Sequence, residues 1–363
     1  MPPSTARLRH PLRSIRIHTG YGDVLMAVAG LQALRELGAD FLAPDACVYT
    51  RTTSETLVQA LLPGLNIRTL PHSAHAPHPR YVIVQHTSFT TLIRNWFSRD
   101  YYVNFPEERL LASYGYPRPP FSRRLTNLLS RISSGASVDW RRVTPSYYGI
   151  RMWAPLARKL GFTETDLVRG LHMAHATLRT RLLTYVNALP ADSNAAPTVA
   201  LFPSGGGFQY FPPTFTRELI TRAGLSPGDY ACYFGPKDMT IGDYRALGIE
   251  CRVTSTIDEM LRVVAKSPVT VTADSFVSHV AQHIARQHIG LMSHDLPQHT
   301  VHPAAPSRLV YQPQACCPCY YLLRKENPRC IAGHEACGVF GMPDYLEESV
   351  GVIRRAYRSA GSE

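Results

Sequence analysis

A chain of 363 residues exceeds what one hydrophobic core usually supports, which predicts two domains of ordinary size. Apolar content of 45% against 18% charged residues excludes a disordered chain, and a formal charge of +11 favours anionic partners: nucleic acid, an anionic membrane face or phosphorylated small molecules. No run approaches the roughly 18 uninterrupted apolar residues of a membrane span, and no apolar h-region follows the N-terminal arginines, which predicts a cytoplasmic protein.

Residues 1–14, rich in Arg and Pro, read as a basic tail able to touch acidic headgroups. Ile15–His18 then reads as a strand, the 20–22 glycine pair as a turn, and Val24, Val28, Leu31, Leu34 and Leu37 as a helical stripe ending at a glycine cap, Gly38. Two roles fit Asp23 at the mouth of this turn: an N-cap for the helix, or a general base aimed into a crevice. Ala46–Thr50, Ser54–Leu62, Ile67–Leu70 and Tyr81–Gln85 continue a strand–helix alternation, the pattern of a parallel sheet covered on both faces. From Thr87 to Trp140 aromatics, prolines and arginines crowd together, either as an acceptor-facing surface or as an elaborated loop region. A helix near Tyr147–Leu160 follows. The turn-rich stretch Ala188–Pro197 places the domain boundary near 190.

The second half restarts the alternation with strand Thr198–Phe202, the glycine loop Pro203–Gly207 and helix Phe215–Ala223. Strands and helices then alternate to Leu309–Tyr311, so the fold class is α/β with two doubly wound halves. Ser204, Gly205 and Gly206 offer backbone N–H groups with little side-chain obstruction, the physics of a phosphate nest, although a plain glycine turn fits as well. Asp274, Ser275, Ser278 and His279 surround a second helix start, where His279 alone reads more readily as a packed helix histidine than as a ligand. Neither loop has P-loop or dinucleotide-fingerprint spacing. Five cysteines crowd between 316 and 337; Cys316, Cys319, Cys330 and Cys337 can surround one structural Zn or Fe, with free thiols as the alternative. The closing helix, Tyr345–Tyr357, carries Leu346, Val350, Ile353 and Tyr357 on one stripe.

The order of these pieces resembles the heptosyltransferases. Gly22-Asp23-Val24-Leu25, Phe202-Pro203-Ser204-Gly205 with Phe211-Pro212, Phe234-Gly235 with Asp238, and Ala273-Asp274-Ser275-x-x-Ser278-His279 carry the likeness, which runs with gaps from about Ile15 to Tyr357. Those enzymes belong to glycosyltransferase family 9. The resemblance implies a GT-B architecture: two Rossmann-like domains, 15–190 for the acceptor and 191–343 for the nucleotide sugar, facing a central cleft. The cysteine-rich segment 316–337 belongs to the second domain, and helix 344–363 would return to the first.

It further implies inverting transfer of a sugar, heptose first, from an ADP-sugar, with Asp23 as the base. Ser204, Gly205 and Gly206 would lie near the sugar or diphosphate, with Gln209 beyond them. Asp238 would lie near the ribose, and Asp274, Ser275, Ser278 and His279 near the diphosphate. The family has a lysine near the end of the glycine loop; here Gln209, Tyr210, Phe211 and Pro212 stand there, so either another cation such as Lys237 or Arg286 replaces it or the donor differs. No metal is required for transfer. Cysteine-rich C-terminal segments also occur in the autotransporter heptosyltransferases, where they resemble an iron-binding finger, and the spacing here is loosely similar.

The expected partners are an ADP-sugar donor and a phosphorylated glycolipid or protein acceptor, at the inner face of the membrane, in a possible homo-oligomer and with no nucleic acid. Two other readings compete: a basic, metal-stapled nucleic-acid binder, and an inactive GT-B scaffold. Basic residues spread through the chain, without a Lys/Arg-rich recognition helix beside the cysteines, count against the first.

Overall fold

A computed structural model describes residues 7–18, 21–50, 54–69, 80–84, 101–104, 147–190, 196–205, 210–293, 295–314 and 336–361. The chain divides into two compact units, Met1–Arg181 with His302–Ala304, and Leu182–Val301 with Ala305–Glu363.

The first unit holds β1 (Arg7–His18), α1 (Tyr21–Glu36), β2 (Asp40–Thr50), α2 (Glu55–Leu61), β3 (Asn66–Thr69), β4 (Arg80–Val84), β5 (Tyr101–Asn104), α3 (Tyr148–Lys159) and most of α4 (Glu164–Ala188). Its five strands are parallel in the order β3-β2-β1-β4-β5. Residues 7–14, expected as part of a tail, are the first two-thirds of β1. Leu8, Leu12 and Ser14 are buried while His10 and Arg13 are exposed, so this segment has a core-facing side in spite of its charge. Within the aromatic stretch 87–140 the described residues are those of β5 alone.

Helix α1 ends as its sequence predicts: Gly38 has φ 74°, and Ala39 N–H reaches back to Leu34 O at 3.1 Å. Against α1 lies α3, so close that a Cβ on Gly30 would stand 2.2 Å from Trp153 Cδ1. Trp153 Nε1 donates to Ala27 O at 2.8 Å, and its ring stacks on Tyr81 with centroids 4.9 Å apart. Helix α4, 25 residues long, falls where the sequence reading named no element. Its Leu167, Leu171, Ala174, Leu178 and Leu182 form a buried stripe at three- and four-residue spacing. Thr177 donates to Glu36, and Arg181 to Gln32 Oε1 and Leu61 O, which fixes α4 to α1 and α2. The unit boundary falls inside this helix, ahead of the turn-rich segment expected to mark it.

The second unit adds β6 (Val199–Phe202), α5 (Pro213–Ala223), β7 (Tyr230–Phe234), α6 (Ile241–Ala246), β8 (Cys251–Val253), α7 (Ile257–Lys266), β9 (Val269–Ala273), α8 (Phe276–Ile284), β10 (Gln287–Leu291), α9 (Pro297–Thr300), β11 (Arg308–Val310) and α10 (Pro343–Ala360). Six parallel strands run in the order β11-β10-β9-β6-β7-β8. Strand alternation divides the faces. Val199, Leu201, Cys232, Val269, Val271, Ile289 and Leu291 pack with Phe215, Phe340 and Tyr345 in one core. Thr270 and Thr272 point the other way, Thr270 Oγ1 to Val264 O of α7 and Thr272 Oγ1 to His288 Nε2 at 2.9 Å.

The closing helix α10 belongs to this second unit, where the resemblance had placed it on the first domain. Leu346, Val350 and Ile353 bury into the second core, and Tyr345 Oη donates to Met292 O at 2.9 Å. Arg222 of α5 pairs with Glu347, and Arg354 donates to Arg222 O at the end of α5, satisfying a terminal helix carbonyl. Among the described residues no helix is long and apolar enough to cross a membrane.

Candidate functional site

In an open parallel sheet the crevice lies where the strand order reverses, because the connections there leave toward opposite faces. In the second unit that point is between β6 and β9: β7 and β8 follow β6 to one side, β10 and β11 follow β9 to the other. Phe202 pairs with Thr272 in register, so Pro203-Ser204-Gly205 and Ala273-Asp274-Ser275 leave the same sheet edge side by side. The sequence motifs at 204–205 and 274–279 are therefore brought together. Ser204 and Tyr210 form an antiparallel bridge, and Phe211 N–H donates to Pro203 O at 2.7 Å, which joins the two ends of the glycine loop. Gly206 and Gln209 lie outside the described residues.

Ser275 is the residue that opens α8, with extended backbone (φ −154°, ψ 175°). Its hydroxyl makes no cap bond. Among the described residues, Ser275 Oγ and His279 Nδ1, one helical turn apart, are both buried and without a hydrogen-bond partner. Asp274 and Ser278 beside them are buried too. Burial pushes the His279 imidazole down to about 4, against a hydrogen bond to the Thr300 carbonyl and the field of Asp295, which both act upward. The ring is neutral at pH 7.

Asp238 lies one strand over, after β7. Its Oδ1 accepts from Thr240 N at 3.0 Å and Thr240 Oγ1 at 2.7 Å, so that oxygen holds the turn before α6. Exposed Lys237 shares this loop at the carboxyl edge. Arg286 precedes the first residue of β10 and so lies at the opposite edge, a strand length of about 16 Å away at roughly 3.3 Å per residue. That position removes Arg286 as the replacement cation.

In the first unit the order reverses between β1 and β4. Asp23 follows β1 at that point. The helix begins at Tyr21, so Asp23 is its third residue, half-buried in the first turn, and not the N-cap.

Sequence reasoning missed the segment after β10. Asp295 and His299, each 2% exposed by side chain, share an Oδ1–Nδ1 hydrogen bond of 2.7 Å, and Asp295 Oδ1 also accepts Leu296 N–H at 2.7 Å. The signal was an Asp and a His four residues apart directly after an apolar strand. Of the proposed metal ligands, Cys316, Cys319 and Cys330 lie outside the described residues. Cys337 is buried and donates its thiol to Ser293 O at 3.6 Å. Among the described residues no group of three or more His, Cys, Asp or Glu could hold a metal.

No family model matches the sequence, and neither does any curated protein sequence. Solved structures do match. E. coli ADP-heptose lipopolysaccharide heptosyltransferase II aligns over 95% of this chain and 99% of its own, with TM-score 0.54 and 16% identity. The fold is heptosyltransferase-like. E. coli heptosyltransferase WaaC with ADP aligns over 84% of this chain and 94% of its own at TM-score 0.53 and 14% identity. The iron-containing dodecameric heptosyltransferase TibC of enterotoxigenic E. coli, in complex with ADP-D-β-D-heptose, aligns over 97% of this chain and 78% of its own at TM-score 0.56 and 14% identity.

Proposed function

We propose that this chain is a glycosyltransferase that moves a sugar, heptose first, from an ADP-sugar to a hydroxyl with inversion. The observation that carries the reading is the start of α8: a helix N-terminus at the switch point, next to a glycine loop, with Ser275 Oγ and His279 Nδ1 buried and, among the described residues, unpartnered. A buried polar atom without a partner costs about 1–3 kcal/mol, so two in one turn argue for a polar ligand that supplies the missing bonds. A diphosphate suits the positive end of the α8 dipole and its first-turn N–H groups, which have no carbonyl partner within the helix. The heptosyltransferase-like fold supports the same assignment.

In the reaction, the acceptor oxygen attacks the anomeric carbon as the bond to the diphosphate oxygen breaks. Asp23 takes the acceptor proton. The departing ADP carries the negative charge, received by the α8 N–H groups and Ser275, with Lys237 as the available cation at that edge; helix dipoles and N–H groups do this without a metal. The acceptor is a phosphorylated glycolipid core or a protein Ser/Thr, which places the enzyme in the cytoplasm at the inner membrane face. TibC is described as dodecameric and iron-containing; a homo-oligomer and a Zn or Fe held by the cysteine segment belong to the same proposal. For Cys337 this requires giving up the thiol proton now donated to Ser293 O.

Calorimetric titration with ADP tests the nucleotide. Micromolar-range binding is expected, and Ser275→Ala weakens it by roughly 1–3 kcal/mol through loss of one buried hydrogen bond to a charged group. No binding, or unchanged affinity in both Ser275→Ala and His279→Asn, removes the nucleotide from α8.

A further inference from the structure

The imidazole of His279 has one committed nitrogen and one orphan. The ring hydrogen-bonds to the Thr300 carbonyl, and Nδ1 is the atom without a partner among the described residues, so Nε2 makes that bond. A carbonyl can only accept, which puts the ring proton on Nε2. In the neutral ring Nδ1 is then a bare lone pair. It sits in the first turn of α8, where dipole and N–H groups attract an anion, and a lone pair there repels one. A diphosphate can meet Nδ1 only through a second ring proton.

We propose that His279 takes up a proton from solvent at Nδ1 when the diphosphate of a nucleotide sugar binds at α8. The bound ring is an imidazolium, with Nε2–H on Thr300 O and Nδ1–H on a phosphate oxygen. This deepens the nucleotide reading above and rests on it.

The surroundings oppose that proton in the free protein and supply one group that favours it. Desolvation holds the free ring at about 4, so it enters binding uncharged. Asp295, on the segment before α9, acts in favour of the charged ring, and its carboxylate is fixed by Leu296 N–H and His299. On the sheet side stands His288 of β10, itself pushed to about 3 by burial and, secondarily, by His279. His283 is one turn further along α8 and Asp274 precedes Ser275. A carboxylate alone has not overcome the desolvation; a diphosphate brings at least two more negative charges to the ring.

Calorimetric ADP titrations of wild type and His279→Asn, in buffers of different ionisation enthalpy between pH 7.5 and 9, count the protons. This window lies about a unit or more above the second ionisation of a phosphate, about 6, so the nucleotide itself stays charged. Wild type is expected to take up close to one proton more per ADP than the variant near pH 7.5, and its Kd to rise up to tenfold per pH unit, while that of the variant stays flat. Nitrogen-15 NMR of histidine-labelled wild type reads the same event without a substitution, as one ring passing from the Nε2–H form to the doubly protonated form on addition of ADP. Tight ADP binding with equal proton counts, or a ring that stays neutral, overturns the proton uptake and leaves the nucleotide site standing. Absence of ADP binding overturns both.

Discussion

Asp23 occupies the third position of α1, so its carboxylate benefits from the helix dipole by about 0.3–1 kcal/mol whatever else it does. Catalysis is a separate and larger effect. If Asp23 takes the acceptor proton, Asp23→Asn keeps ADP affinity and folding while turnover falls about two to four orders of magnitude, the usual share of a positioned base. Turnover from an ADP-sugar and a urea melt on the same preparation check this. Near wild-type turnover discards the base, and a lost fold assigns the carboxylate to structure. Taken alone, the motif in the sequence favoured the cap over the base. The structure removes the cap by starting the helix two residues before Asp23.

At the scale of elements, the contact between α1 and α3 depends on one missing methyl group. A Cβ at Gly30 meets Trp153 Cδ1 at 2.2 Å and Gly149 O at 2.6 Å, and the tryptophan is pinned by its bond to Ala27 O. Gly30→Ala is therefore expected to destabilise by about 1–3 kcal/mol or more, the range of overpacked cores. Gly242→Ala, in α6 with nothing within 4 Å of the added carbon, should instead be neutral or stabilise by up to about 1 kcal/mol. Chemical denaturation of the pair separates steric crowding from helix propensity; equal effects would refute the close approach. The cysteine segment gives the other prediction at this scale. Cys319→Ser should lower both the metal content, about one Zn or Fe per chain, and the melting temperature, since three thiolates leave the site open. Elemental analysis of protein purified under reducing conditions reads the first, and absence of stoichiometric metal rejects it.

For the whole molecule, two buried neutral histidines make stability depend on pH. His279 and His288 are pushed to about 4 and about 3, whereas in the unfolded chain a histidine titrates near 6.5. The unfolded state therefore binds protons first on acidification. Their contribution is fully present above about pH 6.5 and is lost as pH falls toward 4 and 3, by up to about 1.4 kcal/mol per pH unit for each ring. Urea melts at pH 7, 6 and 5 should show falling midpoints; constant or rising midpoints would place the imidazoles in water.

The sequence alone was sufficient for the α/β alternation, the glycine cap of α1 and the two loops at 204–205 and 274–279, because each is written in local spacing: period two, period three to four, and glycine where φ must be positive. Even the stripe of α4 is local, though it carries too many polar residues between its leucines to stand out before its burial is known. Which strand lies beside which is not local. Only the strand order β11-β10-β9-β6-β7-β8 puts the two loops side by side at one edge. The tertiary structure likewise brings Asp295 and the Thr300 carbonyl to His279, about 16 and 21 positions along the chain, and directs the stripe of α10 to the second core. Charge, burial and tautomer are properties of neighbours, and neighbours distant in sequence are chosen by the sheet.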